Sequence, residues 1–246
     1  YSADSPPFSF SSASGAPTGY SIALCQKVIA AVGRAVGEPN LKVNWMPGSV
    51  GERLQFVASG RADIECANTS QTQTRLGSVD FSNLIFIDGG GVLVKAGAPI
   101  NSAADLAGKT VLVLKGTTME ARLAEVLRSG QIAATLKPVD TAAEGLAMLE
   151  AGNADAFAGD KIKLTALALM SKDPDRLALL LQDLSYEPYA LALPRNDSAF
   201  RLVVNKALTQ VYIGGDIEAI YGQWLAPLGR PTGVLALMFL LNSIPE

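Results

Sequence analysis

The stretch GKTVLVLKGTTMEARLAEVL (108–127) runs from a turn into a buried strand, through a Gly-Thr-Thr corner and straight into a helix. A strand that feeds a helix in this way constrains the fold more than any other feature of the chain. The helix carries the chain back over the sheet, so the next strand lies parallel to the first. The pattern recurs. YSIALCQKVIAAVGRAV (20–36) places Ile22, Cys25, Ile29, Val32 and Val36 on one helical face and stops at Gly37. LKVNWM (41–46) alternates as a strand, ERLQFVASG (52–60) reads as a short helix ending on Gly60, and ADIECA (62–67) as a short strand. TAAEGLAMLEAG (141–152) is a helix with a capping box from Thr141 to Glu144, and ADAFAGD (154–160) is a strand ending on Asp160. Helices over 197–212 and 216–225 begin on Asp caps. The expected class is α/β, with mainly parallel sheets and flanking helices.

The likeliest seams of such a chain are apolar, glycine-marked extended runs. NLIFIDGGGVLVKAG (83–97) carries Gly89, Gly90 and Gly91, and SYEPYALALP (185–194) is a second extended run. Two readings stand for the three glycines: a hinge between two lobes, or a single bulge or turn.

Composition narrows the function. With 246 residues, 49% of them hydrophobic, the chain can bury one large core or two smaller ones. A net charge of −3 without a basic tract makes nucleic acid an unexpected partner. The absence of histidine removes any Ser–His or Cys–His pair and the commonest metal ligand. Two cysteines alone build no metal site, so no metal and no cofactor are expected. GVLALMFLL (233–241) is too short to span a bilayer and reads as a buried C-terminal helix; no signal peptide is read in the chain.

In open α/β sheets ligands bind beyond the carboxyl ends of strands, and polar groups gather at such places here. After ADIECA come seven hydroxyl and amide residues, Asn68 to Thr74, closed by Arg75. Thr117 and Thr118 open the helix after TVLVLKG, and Asp160 follows ADAFAG. A guanidinium holds a carboxylate with two parallel hydrogen bonds. A helix N-terminus with a Thr hydroxyl adds donors for the same anion. Asp160 can accept from an ammonium group, and Asn68 and Ser70 can fill the remaining valences. Together these groups describe the head group of an α-amino acid.

With these residues the chain resembles the periplasmic solute-binding proteins for polar amino acids that feed ABC importers, the glutamate/aspartate branch above all. PPFSF (6–10), GYSIALC (19–25), LQFVASGRADIEC (54–66), VDFS (79–82), VLVKAG (92–97), DLAGKTVLVLKGTTME (105–120), MLEAGNADAFAGD (148–160), EPYALAL (187–193) and IYGQWL (220–225) carry the resemblance. It implies a two-lobed, type II flytrap that takes its ligand between the lobes. Lobe one would be 1–90 with 187–246 and lobe two 91–186, with hinge strands near 87–92 and 185–190. It implies a monomer, export to the periplasm with a signal peptide in the precursor, and a membrane permease as partner. Tyr1 falls just after the place of the family's first strand. Residue by residue, Arg75 matches the carboxylate-binding arginine and Ser70 a hydroxyl at the same head group. Thr117 matches the hydroxyl that joins from the other lobe, and Asp160 the acid that takes the ammonium.

The departures bear on the ligand's side chain. The arginine and histidine that hold the side-chain carboxylate in the glutamate/aspartate branch correspond to Ser2 and Ala142, and a neighbouring hydroxyl to Val50. The aromatic that other branches stack on the ligand falls near Ser5. A second arginine of the branch remains as Arg53, read either as a ligand contact or as a surface helix charge. Export permits a disulfide between Cys25 and Cys66, with two buried thiols as the alternative. Two other functions share the fold: a receptor's sensing domain, and a periplasmic dehydratase, for which Asp160 and Glu120 are the carboxylates near the clamp.

Overall fold

The computed structural model describes residues 1–180 and 182–244. In chain order the strands are β1 (Asp4–Ser5), β2 (Ser9–Ser11), β3 (Pro17–Thr18), β4 (Asp80–Lys95), β5 (Thr110–Leu114), β6 (Thr135–Val139), β7 (Ala156–Asp160), β8 (Leu177–Leu179) and β9 (Ser185–Leu193). The helices are α1 (Tyr20–Val36), α2 (Val50–Ala58), α3 (Gln73–Leu76), α4 (Thr118–Ser129), α5 (Ala142–Ala151), α6 (Lys161–Met170), α7 (Ser198–Ile213), α8 (Asp216–Trp224) and α9 (Gly233–Leu241). The chain divides into two compact units, Tyr1–Ile87 with Pro188–Glu246, and Asp88–Glu187.

The second unit is layered. Its sheet runs β6-β5-β7-β4-β8, with β5 parallel to β6 and β7, and β4 antiparallel to β7 and β8. The sheet is therefore mixed rather than mainly parallel, because β4 enters it against the direction of the β–α units. Alternation sorts its side chains. Val92, Val94, Val111, Val113, Ala156 and Ala158 share one cluster with Met119, Leu123 and Leu127 of α4. Leu93, Leu112 and Phe157 pack with Leu149 of α5 and with Leu164 and Leu167 of α6. The glycines of β4 form neither a bulge nor a turn: β4 is continuous through them, and none has positive φ. A Cβ on Gly90 would collide with Met119 Cε and Ser185 Oγ, so this residue lets its neighbours close on the strand.

The first unit packs α1 against α7 and α8. Its small sheet β1-β2-β3 is antiparallel, again contrary to the parallel expectation. The rings of Phe8, Tyr20, Phe86 and Tyr189 meet edge-on or stacked, and Tyr20 Oη donates to Ile85 O at 2.8 Å. Gly37 ends α1 in the left-handed conformation, as its place in the sequence implies. Cys25 and Cys66 are joined, with Cα atoms 6.0 Å apart.

Neither 41–46 nor 62–67 is a regular strand. A strand needs a ladder partner. Segment 62–67 makes one isolated bridge, Glu65 to Ala192, and 41–46 makes none. Between them lies a groove of about 570 Å³ lined by Val28, Val32, Leu41, Val43, Trp45 and Ile64, among others. The C-terminal run does form α9, but only Leu235 and Met238 are buried, while Val234, Leu237, Leu240 and Leu241 are exposed. With nearly every position apolar, the helix has more hydrophobic surface than one buried stripe can cover.

Candidate functional site

In the first unit the polar stretch folds back on itself. Ser70 is buried and bridges Tyr189 of β9, which fixes the stretch beside that strand. Thr72 caps α3 by accepting from Arg75 N at 3.2 Å. One turn of helix then brings the guanidinium back, and Arg75 Nη1 donates to Ser70 O at 2.7 Å. Asn68 is buried alongside. The row of hydroxyls and amides thus holds Arg75 by backbone and side chain, and the structure brings Ser70 and Arg75 together. Ser5 belongs to a hydroxyl cluster where its Oγ is 2.8 Å from Ser2 Oγ and Ser2 N donates to Ser9 Oγ at 3.0 Å.

Arg53 is not a surface helix charge: it is 4% exposed. Its Nε donates to Glu65 Oε1 at 2.7 Å, Nη1 to Gly48 O at 2.7 Å and Nη2 to Thr69 Oγ1 at 3.5 Å. Thr69 Oγ1 donates in turn to Glu65 Oε1 at 2.8 Å. All three nitrogens meet protein acceptors, so the structure gives Arg53 internal partners.

In the second unit Thr117 caps α4. Its hydroxyl accepts from Glu120 N at 3.3 Å and donates to Leu114 O at 2.7 Å. Thr118 Oγ1 donates to Glu187 Oε2 at 2.7 Å, and Ser185 Oγ to Glu187 Oε1 at 2.6 Å. Glu120 accepts from Gly116 N at 2.7 Å, steadying the corner. Asp160 ends β7 at the cap position of α6, yet its side chain makes no capping bond. Asp88 of β4 does that work, accepting from Ile162 N at 3.1 Å and from Gly89 N at 2.8 Å. Asp160 Oδ2 instead meets Lys163 Nζ at 2.9 Å, with side chains 8% and 14% exposed. Burial, and then the charge of Asp160, push the Asp88 carboxyl up to about 7, against the smaller opposing pull of its two backbone donors and of Lys163.

Sequence reasoning missed Asp88, Lys163 and Glu187. Asp88 and Glu187 had a signal, each being a lone acid in an otherwise apolar extended run (IFIDGGG and SYEPYALAL). Lys163 follows Asp160 by three positions, the spacing at which helical side chains meet.

The description "bacterial extracellular solute-binding proteins, family 3" matches residues 1–227. An L-glutamate/L-aspartate-binding protein of Pseudomonas aeruginosa is 34% identical over 229 residues, spanning 93% of this chain and 76% of that relative. A glutamate/aspartate import solute-binding protein of Escherichia coli is 28% identical, spanning 89% of this chain and 72% of that one. Among solved structures, an ancestral arginine-binding protein bound to arginine superposes with a TM-score of 0.82 at 28% identity, covering 92% of this chain and 96% of that one. The α/β fold is that of the type II periplasmic amino acid-binding proteins, and the chain belongs to the bacterial extracellular solute-binding proteins, family 3.

Proposed function

We propose that the chain is the extracytoplasmic solute-binding component of an ABC importer, which captures a small amino acid or related carboxylate and delivers it to a membrane permease. The observation that carries this reading is Arg75, held by Ser70 O and Thr72 at the end of the polar stretch in a chain of this family. Arg75 takes the ligand's carboxylate as a bidentate partner, with Asn68 and Ser70 beside it. Thr117 and the α4 N-terminus add donors for the same anion. Asp160 takes the ammonium. Arg53 is left out of this set because Glu65, Gly48 and Thr69 engage it. Capture and release require no bond to be broken. The relatives named for glutamate and aspartate support an amino acid as the ligand class.

The test is calorimetric titration of the purified chain with the common amino acids, repeated on Arg75→Ala. Truncating one partner of a hydrogen-bonded charge pair costs ~2–5 kcal/mol, so at least one amino acid should bind and lose about thirtyfold or more in affinity in the variant. Circular dichroism should be unchanged. An Arg75→Ala protein that binds as tightly as the parent rules this reading out.

A further inference from the structure

Helix α6 starts against electrostatic preference. Its first turn holds Lys161 and Lys163 and no acidic residue, although the N-terminus of a helix carries positive partial charge and favours anions. The two lysines differ in their surroundings. Lys161 pairs at 2.6 Å with Asp183, whose side chain is 69% exposed, so that contact lies open to solvent. Lys163 is drawn inward onto Asp160, and both side chains are nearly buried. Asp160 is available for this pairing because Asp88 caps the helix in its place. A local rule broken in this way, with the neighbouring strand β4 supplying the substitute cap, points to a functional demand on the position.

We infer that Lys163 is a specificity-determining residue for the ligand, an ammonium set beside Asp160 that favours amino acids with a second carboxylate and disfavours those with a cationic side chain. The inference rests on the reading that Asp160 meets the ligand's ammonium. A ligand ammonium at Asp160 lies within a few ångströms of Lys163 Nζ, which is itself 2.9 Å from that acid. A ligand ammonium competes with Lys163 for Asp160 and leaves the lysine's charge short of a partner, and an acidic side chain supplies one. The lysine stem is flexible and its ammonium compact, so it can swing from Asp160 toward a carboxylate of the ligand. This cation stands in a chain where serine and alanine, Ser2 and Ala142, occupy the places of the arginine and histidine of the resembling branch. Ser2 is tied into its hydroxyl cluster, and Ala142 opens α5.

The experiment is calorimetric titration of the full chain with L-glutamate, L-glutamine, L-aspartate, L-asparagine and L-arginine, on the parent, Lys163→Met and Lys163→Arg. The parent should prefer each acid over its amide by about tenfold or more and bind arginine weakest. Lys163→Met should bring acid and amide within about threefold, and Lys163→Arg should restore the preference. An acid-to-amide ratio unchanged in Lys163→Met, or a parent that prefers an amide or arginine, overturns the inference. Arg75→Ala, run in parallel, separates the two failures. If it abolishes binding while the ratio ignores Lys163, only the role of Lys163 falls. If it binds normally, the clamp reading falls and this inference with it. A parent that binds none of the five overturns this inference.

Discussion

The two units each bury a cluster of charges, and the clusters are built differently. In the first unit Arg53 and Glu65 form a one-to-one pair, 4% and 1% exposed at the side chain, with the remaining guanidinium nitrogens on Gly48 O and Thr69 Oγ1. In the second unit two carboxylates, Asp88 and Asp160, share a neighbourhood with Lys163, and the charge of Asp160 outweighs that of Lys163 at Asp88. A matched pair whose guanidinium nitrogens each meet a protein acceptor offers a ligand little charge to complete. A cluster in which like charges press on each other is one that an incoming cation would relieve. On the proposed reading, the contrast separates structural charge from charge kept for binding, even though both sit where polar residues are costly.

The largest expected effect tests the structural side. Removing one partner of a buried ion pair strands the other and costs ~3–5 kcal/mol. Arg53→Met should lose about that much in urea-induced unfolding, since Glu65 Oε2 already lacks a hydrogen-bond partner among the described residues. The double variant Arg53→Met/Glu65→Leu should recover most of the loss, because no buried charge is then left alone. A variant Arg53→Met that keeps its stability but loses ligand would break the contrast and return Arg53 to the ligand set.

The next effect sharpens it. Cys66 adjoins Glu65 in the chain and is bonded to Cys25 on α1, a separation of 41 residues. This bond and the ion pair anchor the same irregular segment, which has a single β-bridge to hold it. A cross-link closing a loop of that length contributes ~3–4 kcal/mol, chiefly by restricting the unfolded chain. Replacing both cysteines by alanine should cost about that in unfolding experiments while leaving ligand affinity within about twofold. A large loss of affinity would mean that the segment's anchorage also sets the position of Asn68 and Ser70, two and four residues further on.

Much of the fold was legible because local chemistry decided it. Gly37 stops α1 and Asp197 caps α7 by accepting from Phe200 N at 2.9 Å, in each case where the sequence places them. The strand–corner–helix unit at 110–129 was read from its apolar run, its Gly-Thr-Thr and the residues that follow. What could not be read depends on partners distant in sequence. Segment 41–46 alternates like a strand, but alternation specifies a face and not a neighbour to pair with. Arg53, on a short helix, reads as either a ligand contact or a surface charge; its partner Glu65, twelve residues on, is not visible from the helix alone. The same holds at the candidate site. Arg75 and its polar stretch are contiguous and stood out, whereas the Asp88 cap exists only once β4 lies beside β7 with Gly90 opposite Asp160.

That pairing of β4 with β7 leads to the most local effect, a pH dependence confined to one cluster. The Asp88 carboxyl rises from 3.8 to about 7 on folding. Folded protein therefore holds more protons than unfolded protein between pH 4 and 7, and this group's contribution to stability falls as pH rises through that window, by at most ~1.4 kcal/mol per pH unit. The penalty is absent below about pH 4 and complete above about pH 7. Asparagine at position 88 cannot ionise and keeps one acceptor for Gly89 N or Ile162 N. The stability of Asp88→Asn minus that of the parent should therefore climb between pH 4 and 7 and level off above, in urea unfolding read at each pH. A flat difference would show that Asp88 stays ionised in the folded chain. It would follow that the backbone donors and Lys163 offset burial and the charge of Asp160 at Asp88, and the strain that sets the second cluster apart from the first would be gone.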